Sequence, residues 1–352
     1  NSREGWLLEP FFIEYRDPMF GIIILFTLVF IIAFVNYWWG VFKSKEEKQS
    51  IEQFIKRFEI TTDEDGYKKL LEDFSVPTES LGLLAHSYTK SGDFEKAIGV
   101  YLLALKRVKN REEKQYILTE LGITYFKAGF LRRASEVFLE ALRLYPRNKT
   151  ALKYLTVSYE KLKEFDRSLE ALDALEEMGA EAEAQKAYVQ AKRVLADKSL
   201  TNEAKLATLR ALKEQFPLAQ RMVFEFWLKH DLPVDWGEVD GFEMMQVVDL
   251  LWYLDPYLVR PDALTHPLAR AVFKARGHEV AQEGCEVFEL EVLGKLQETG
   301  YKEAGLSFSY FCEGCKQTFP VHFYRCPSCH ALGSVKVEPI ITKERLEAHL
   351  PF

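Results

Sequence analysis

The stretch from Leu118 to Pro146, LTELGITYFKAGFLRRASEVFLEALRLYP, decides the fold. Its apolar residues recur three and four apart, the period of a helix with one buried face. Leu118, Leu121, Gly122 and Tyr125 form one such run, and Ala134, Phe138 and Ala141 form the next. Gly129 falls between them, where the chain needs a left-handed residue to leave one helix and enter another. Pro146 closes the second run, because it has no N–H and its ring clashes with the preceding turn. The stretch therefore predicts a helix–turn–helix. Gly122 lets its two helices approach, Tyr125 fills the space between them, and Ala134 lets the next hairpin stack.

The same pattern lies on either side. Upstream it reads Leu81, Leu84, Ala85, Tyr88, Gly92, Ala97, Tyr101, Ala104, and downstream Leu152, Leu155, Tyr159, Ser168, Leu172. Ala97 to Ala134 is 37 residues and Ala134 to Ser168 is 34. A hairpin of this length and pattern resembles the tetratricopeptide repeat. Residues 43–216 are assigned to the array, with 50–74 and 180–216 as capping or diverged units. Residues 217–305 read as a helical extension, with helices expected at 218–229, 242–254, 263–276 and 285–298. Its bulky Trp227, Trp236 and Trp252 are expected to pack on the end of the array; its function is not legible.

Further out, residues 18–42 carry no charge. About 20 apolar residues span a bilayer as a helix, so this stretch is expected to be a transmembrane helix. Met19 and Phe30 lie within it, and Tyr37, Trp38 and Trp39 form an aromatic belt. A tail with four acids (1–17) precedes it and no small-residue cleavage site follows, which argues for a retained anchor over a signal peptide. Arg3 and Arg16 precede the segment, whereas Lys43, Lys45, Lys48, Lys56 and Arg57 follow it. The positive-inside rule then places the tail in the periplasm and the rest in the cytoplasm of a single-pass protein of the bacterial inner membrane. The apolar tail residues Trp6, Leu7, Leu8, Phe11, Phe12 and Ile13 suit a segment lying on the bilayer, or a docking element for another membrane protein. Net charge is −7, so no affinity for nucleic acid is expected.

Near the C-terminus stand Cys312-Glu313-Gly314-Cys315 and, ten residues on, Cys326-Pro327-Ser328-Cys329. Two CxxC turns can present four thiolates to one tetrahedral ion. Residues 306–340 therefore read as a small β metal module holding one zinc or iron ion, followed by a tail, 341–352. The spacer suits a two-stranded excursion, Gln317–Val321 out and Phe323–Arg325 back. Four sulfurs leave no position for a catalytic water, which favours a structural ion. His330 reads as a surface residue, and Cys285 as a small buried hydrophobe.

The order of membrane helix, repeats and four-cysteine module resembles the lipopolysaccharide assembly protein B family of Gram-negative bacteria. The closest likeness is local: Tyr310-Phe311-Cys312, Cys315, then Cys326-Pro327-Ser328-Cys329 and Ser334-x-Lys336. The resemblance implies a rubredoxin-like module packed on the repeats. It also implies an inner-membrane adaptor that presents a client to a membrane-bound AAA+ protease. The longer aromatic tail, the three clear repeats and the tryptophan-rich stretch depart from that family.

The fold expected is thus mostly α: an N-terminal transmembrane helix, a tetratricopeptide-repeat solenoid, and a rubredoxin-like or zinc-ribbon β module. No nucleophile–base pair, glycine-rich phosphate loop or HExxH occurs, so an adaptor or scaffold for membrane and cytoplasmic proteins is expected, not an enzyme. A membrane-tethered chaperone of flagellar motor or export-gate assembly, and a rubredoxin-type electron carrier, are the alternatives. In the repeat register the partner-facing positions are His86 and Lys90, then Ile123, Phe126 and Lys127, then Lys161, with Gly82, Thr119, Lys153 and Val157 beside them. That mixture suits an acidic–apolar segment, although lysines at helix ends also simply complement the helix dipole.

Overall fold

The computed structural model describes residues 24–38, 53, 76–258, 265–281, 284–301 and 303–343. The tail 1–17, Met19, Trp39, most of the helix expected over 50–74, and the C-terminal tail from 344 lie outside the described residues. Residues 24–38 form a helix, α1, whose side chains are exposed, Phe30 and Trp38 among them. Phe30, Phe34 and Trp38 line one face, with ring centroids 6.2 and 6.0 Å apart, the first pair stacked and the second tilted. Among the described residues, no helix is long and apolar enough to cross a membrane. The ends of the expected 18–42 span lie outside them.

The chain forms two compact units, residues 1–124 and 125–352. In the first, α2 (Thr78–Ser91) and α3 (Phe94–Arg107) make an antiparallel hairpin, and α4 (Arg111–Lys127) begins. Ala85, Ala97 and Ala104 are fully buried, as close helix approach requires. Tyr101 is buried as well. The Thr89 and Thr124 hydroxyls meet at 2.9 Å and His86 lies 3.2 Å from Glu120, so the first helices of consecutive repeats touch.

In the second unit, α5 (Leu131–Leu144), α6 (Lys149–Leu162), α7 (Phe165–Glu177) and α8 (Glu183–Ala196) continue the alternation. Helix α5 buries Ala134, Ser135, Phe138 and Ala141, one stripe at helical spacing. Asn148 caps α6 by accepting from the Ala151 N–H at 3.0 Å, which satisfies an otherwise orphaned donor. The turn between the helices of a hairpin recurs in the left-handed region at Gly92 (φ 84°), Gly129 (φ 84°) and Lys163 (φ 62°). These three sit on the same offsets as the alanine register. The third repeat thus keeps the turn without the glycine, which is why its sequence signature is the faintest.

Beyond α9 (Asn202–Ala211), the extension comprises α10 (Ala219–Lys229), the short α11 (Trp236–Val239), α12 (Val248–Tyr253), α13 (Pro267–Ala275) and α14 (Phe288–Glu298). The expected helices are found, each shorter than read, and the 242–254 helix opens with a 3-10 turn at Met244–Gln246. Arg276 donates to the carbonyls of Leu251 and Leu254, filling acceptors at the end of α12. A three-stranded antiparallel sheet follows, in the order β2 (Thr318–Phe319), β1 (Gly305–Cys312), β3 (Val335–Thr342). The long ladder pairs Tyr310 with Val337 and Cys312 with Val335, whose side chains are all buried. The excursion differs from expectation. Residues 318–319 pair with β1, and the return makes a single bridge, Arg325 to Leu332, because the second knuckle turns back on itself. One apolar core runs through this unit, from Leu152 and Leu172 through Trp227, Leu250 and Phe273 to Tyr310 and Val337.

Candidate metal centre and the repeat groove

Two turns of one construction present the cysteines. In the first, Lys316 takes a left-handed φ of 62° and its N–H donates to the Cys312 carbonyl at 2.8 Å. In the second, His330 takes φ 61° and its N–H donates to the Cys326 carbonyl at 3.0 Å. The N–H groups of Cys312 and Cys326 donate, each at 2.9 Å, to the carbonyls of Gln317 and Ala331. Each knuckle is therefore closed by the residue after its second cysteine.

This brings all four Sγ atoms within 4.8 Å of one another. Cys312 and Cys329 lie 3.6 Å apart, Cys315 and Cys326 3.7 Å. Bonds of about 2.3 Å to a tetrahedral ion place sulfurs about 3.8 Å apart, so the donor set fits one ion such as zinc. Gly314 packs on the sulfurs: a Cβ there would stand 3.4 Å from the Cys329 Sγ and 3.6 Å from the Cys312 Sγ, ordinary contact distances. Burial raises the Cys312 thiol, but the Ser334 hydroxyl at 3.2 Å and nearby amides outweigh it and bring it down to about 6. Burial and the neighbouring sulfurs instead push the Cys326 and Cys329 thiols up, Cys329 to about 12, so one thiolate is favoured without an ion, whereas a bound metal takes all four as thiolates. An iron ion suits the same four sulfurs.

The residues flanking the second knuckle fix where the module sits. Arg325, beside Cys326, donates from Nε to Glu160 Oε2 on α6 at 2.7 Å, with both side chains more than nine-tenths buried. Its guanidinium also lies 5.6 Å from the Tyr188 ring on α8 and donates from Nη1 to the His330 carbonyl. The His330 ring meets Phe126 at 4.9 Å and Tyr154 at 6.5 Å, edge to face. His330 is thus not the surface residue expected. Its left-handed backbone, imposed by knuckle closure, turns the ring onto the repeats.

A second anchor lies in the extension, for which no role was legible. Arg221 and Asp249 form a fully buried pair at 2.6 and 2.9 Å. Arg221 also donates to Glu225 at 2.8 Å and to the Gln246 carbonyl at 2.7 Å. The module completes the network: the Tyr310 hydroxyl donates to Asp249 at 2.7 Å and the Tyr324 hydroxyl to Glu225 at 2.6 Å. Burial presses the Asp249 carboxyl upward, yet the charge of Arg221 and these hydrogen bonds hold it below the usual range. Burial prevails at Glu225, whose carboxyl is raised. His322, half-buried against Tyr310 and Tyr324, is pushed down to about 3 by burial and by Arg221.

Among the partner-facing positions, Lys90, Lys127 and Lys161 are exposed and His86 is half-buried beside Glu120. Ile123 and Phe126 are buried, at 9% and 5% exposure. Phe126 is covered by His330, and Lys161 lies 6.0 Å from its ring. Cys285 is half-buried, accepts from the Val287 N–H at 3.4 Å, and has its thiol raised by burial. The anchoring residues Arg221, Asp249, Arg325 and His330 escaped sequence reading. The one legible signal was charged residues inside otherwise apolar helical stripes, at Arg221 and Asp249.

Residues 80–115 and 119–183 match the tetratricopeptide repeat family. A stretch of 97 residues is 36% identical to the Protein CTR9 homolog of Arabidopsis thaliana, covering 27% of this chain and 9% of that protein. Solved structures similar to the chain include MamA from Desulfovibrio magneticus RS-1 (TM-score 0.35, 19% identity, 44% of this chain and 85% of that one). PilF of Pseudomonas aeruginosa (0.32, 17%, 47% and 72%) and a tetratricopeptide repeat protein from Parabacteroides merdae (0.35, 16%, 63% and 98%) are others. The chain contains tetratricopeptide repeats, together with a small C-terminal sheet and a four-cysteine cluster.

Proposed function

We propose that the chain is a membrane-anchored adaptor whose repeats hold client proteins and whose cysteine module carries one structural zinc ion. The observation that carries this reading is the seating of the module. Its four thiols face one another, and the residues flanking them are spent on anchoring to α6, α8, α10 and α12. Cys312, Cys315, Cys326 and Cys329 would hold the ion, which supplies a charge-neutralising crosslink between the knuckles. With four sulfur ligands and flanks engaged in packing, the module suits a structural rather than a catalytic role. Repeat arrays build extended concave surfaces for other proteins, which fits a scaffold. The uncharged run 18–42 supports an inner-membrane anchor with the repeats in the cytoplasm. The order of parts supports a role like that of lipopolysaccharide assembly protein B, presenting a client to a membrane-bound AAA+ protease.

The test is crosslinked capture from native membranes, with mass spectrometry of the partners. Wild-type protein is expected to fractionate with membranes and to capture the same partners repeatedly. Lys127→Glu with Lys161→Glu is expected to weaken capture of an acidic client several-fold and to leave the melting temperature unchanged, since both side chains are exposed. Recovery of the full chain in the soluble fraction would remove the anchor. Exchanging zinc for iron should leave capture unaltered; capture that follows the redox state of iron would overturn the structural role.

A further inference from the structure

We propose that the second knuckle, Cys326–Leu332, is a metal-held plug in a peptide-binding site formed by Phe126, α6 and α8. The knuckle sits where a repeat protein would receive a ligand. It inserts His330 against Phe126 and Tyr154 and gives Arg325 to Glu160 and the face of Tyr188. These contacts are those of a bound peptide: a guanidinium neutralising a buried carboxylate, and a ring laid on an aromatic shelf a few residues on. Glu160 is the key to the assignment. With the module seated its carboxylate is more than nine-tenths buried, a state that is costly without a cation, and the cation is the module's own Arg325. The site therefore takes a segment folded into a turn, carrying an arginine followed five residues later by an aromatic or imidazole ring.

The ion links this contact to the thiols. Arg325 precedes Cys326 and His330 follows Cys329, and the left-handed turn at His330 is closed by the Cys326 carbonyl. Ligation at both cysteines fixes that turn and hence the aim of both side chains. While it holds, the plug is tethered at high effective concentration and excludes a free segment of the same chemistry. Once the ion leaves, the turn loosens and Phe126, Tyr154 and Glu160 are uncovered. The proposal rests on the metal reading of the four cysteines but not on the client or the membrane.

The experiment uses the full chain in detergent, with metal content measured throughout. Hydroxyl-radical footprinting reads side-chain exposure before and after stripping with a zinc chelator. Labelling of Phe126 and Tyr154 should rise several-fold on stripping and fall again on adding zinc. Labelling of Phe138 and Tyr101, both at 0% exposure within the repeat cores, should not move. Arg325→Ala with His330→Ala, which keeps every cysteine, should retain the ion and show the rise without stripping. A fluorescent peptide of residues 322–333 bearing Cys326→Ser and Cys329→Ser should bind that metal-loaded variant at least about tenfold more tightly than metal-loaded wild type. The same peptide with Arg325→Glu should not bind. Phe126 and Tyr154 staying protected in stripped protein would overturn the plug and leave the metal reading intact. So would a parallel rise at Phe138, which marks collapse of the repeats, or equal peptide binding to variant and wild type. Protein purified without chelator and found free of metal would sink the metal reading and the plug together.

Discussion

Asp249 shows how much of the assembly hangs on one side chain. It is fully buried, accepts twice from Arg221, and accepts again from the Tyr310 hydroxyl of the module. Asp249→Ala takes the bidentate partner from the buried Arg221 guanidinium and leaves it Glu225 alone, at a cost of about 3 kcal/mol. Tyr310→Phe removes only one hydrogen bond to a charged acceptor, about 1.5–3 kcal/mol. Chemical denaturation of the two variants should rank them in that order. The pH dependence follows from the lowered Asp249 carboxyl. A depressed carboxylate contributes stability that is complete above its unfolded value, near 3.9, and is lost as pH falls through the lower folded value. The stability difference between wild type and Asp249→Ala should therefore be steady above about pH 5 and shrink below about pH 4. A difference that stays constant to the lowest pH at which the protein folds would show that Asp249 adds no charge-dependent term.

At the scale of elements, the repeats depend on turns that only certain backbones can make. Gly129 leaves α4 with φ 84°, and a Cβ there would meet nothing within 4 Å. Space is free, so any cost of a substitution lies in the backbone alone. Gly129→Ala is expected to destabilise by about 1 kcal/mol, the penalty of an L-residue in the left-handed region. Gly129→Asn should cost less, because its side chain tolerates that region. Thermal melts of the two variants check the order, and equal losses would point to a packing effect instead. Lys163 occupies the equivalent turn at φ 62°. Lys163→Gly should therefore stabilise by a few tenths to about 1 kcal/mol, the opposite sign at the same place in the next repeat.

For the whole molecule, the module has little apolar core of its own. Cys326→Ser is expected to abolish metal binding and to release residues 305–342 from the fold, since small modules draw their folding energy from the ion. The hairpins up to α7 should persist, because repeats are stabilised by their neighbours. Hydrogen exchange should then show protection lost over β1–β3 and kept in α2–α6. The extension will not be spared. Tyr310 and Tyr324 no longer reach Asp249 and Glu225, and α10 and α12 are left holding a buried charge network open on one side. Loss confined to β1–β3, with α10 and α12 fully protected, would contradict this coupling.

The sequence by itself determined whatever is encoded in local spacing. The repeat register from Ala97 through Ala134 to Ser168 reports the helix period and close helix approach, both properties of neighbouring residues. The two CxxC turns likewise carry their own backbone hydrogen bonds, so the four thiols were legible as one donor set. The positions of the extension helices were legible within a few residues for the same reason. Tertiary structure alone decided where the module sits. Glu160 and Arg325 are far apart in the chain, and nothing in either local pattern marks them as partners. His330 looked free because the left-handed turn that aims it arises only once its knuckle closes. Phe126 occupies the groove position its register implied, but its burial depends on a residue about 200 positions away. A local pattern fixes which face a side chain takes. Only long-range packing, driven by the burial of charge and apolar surface together, fixes what covers it.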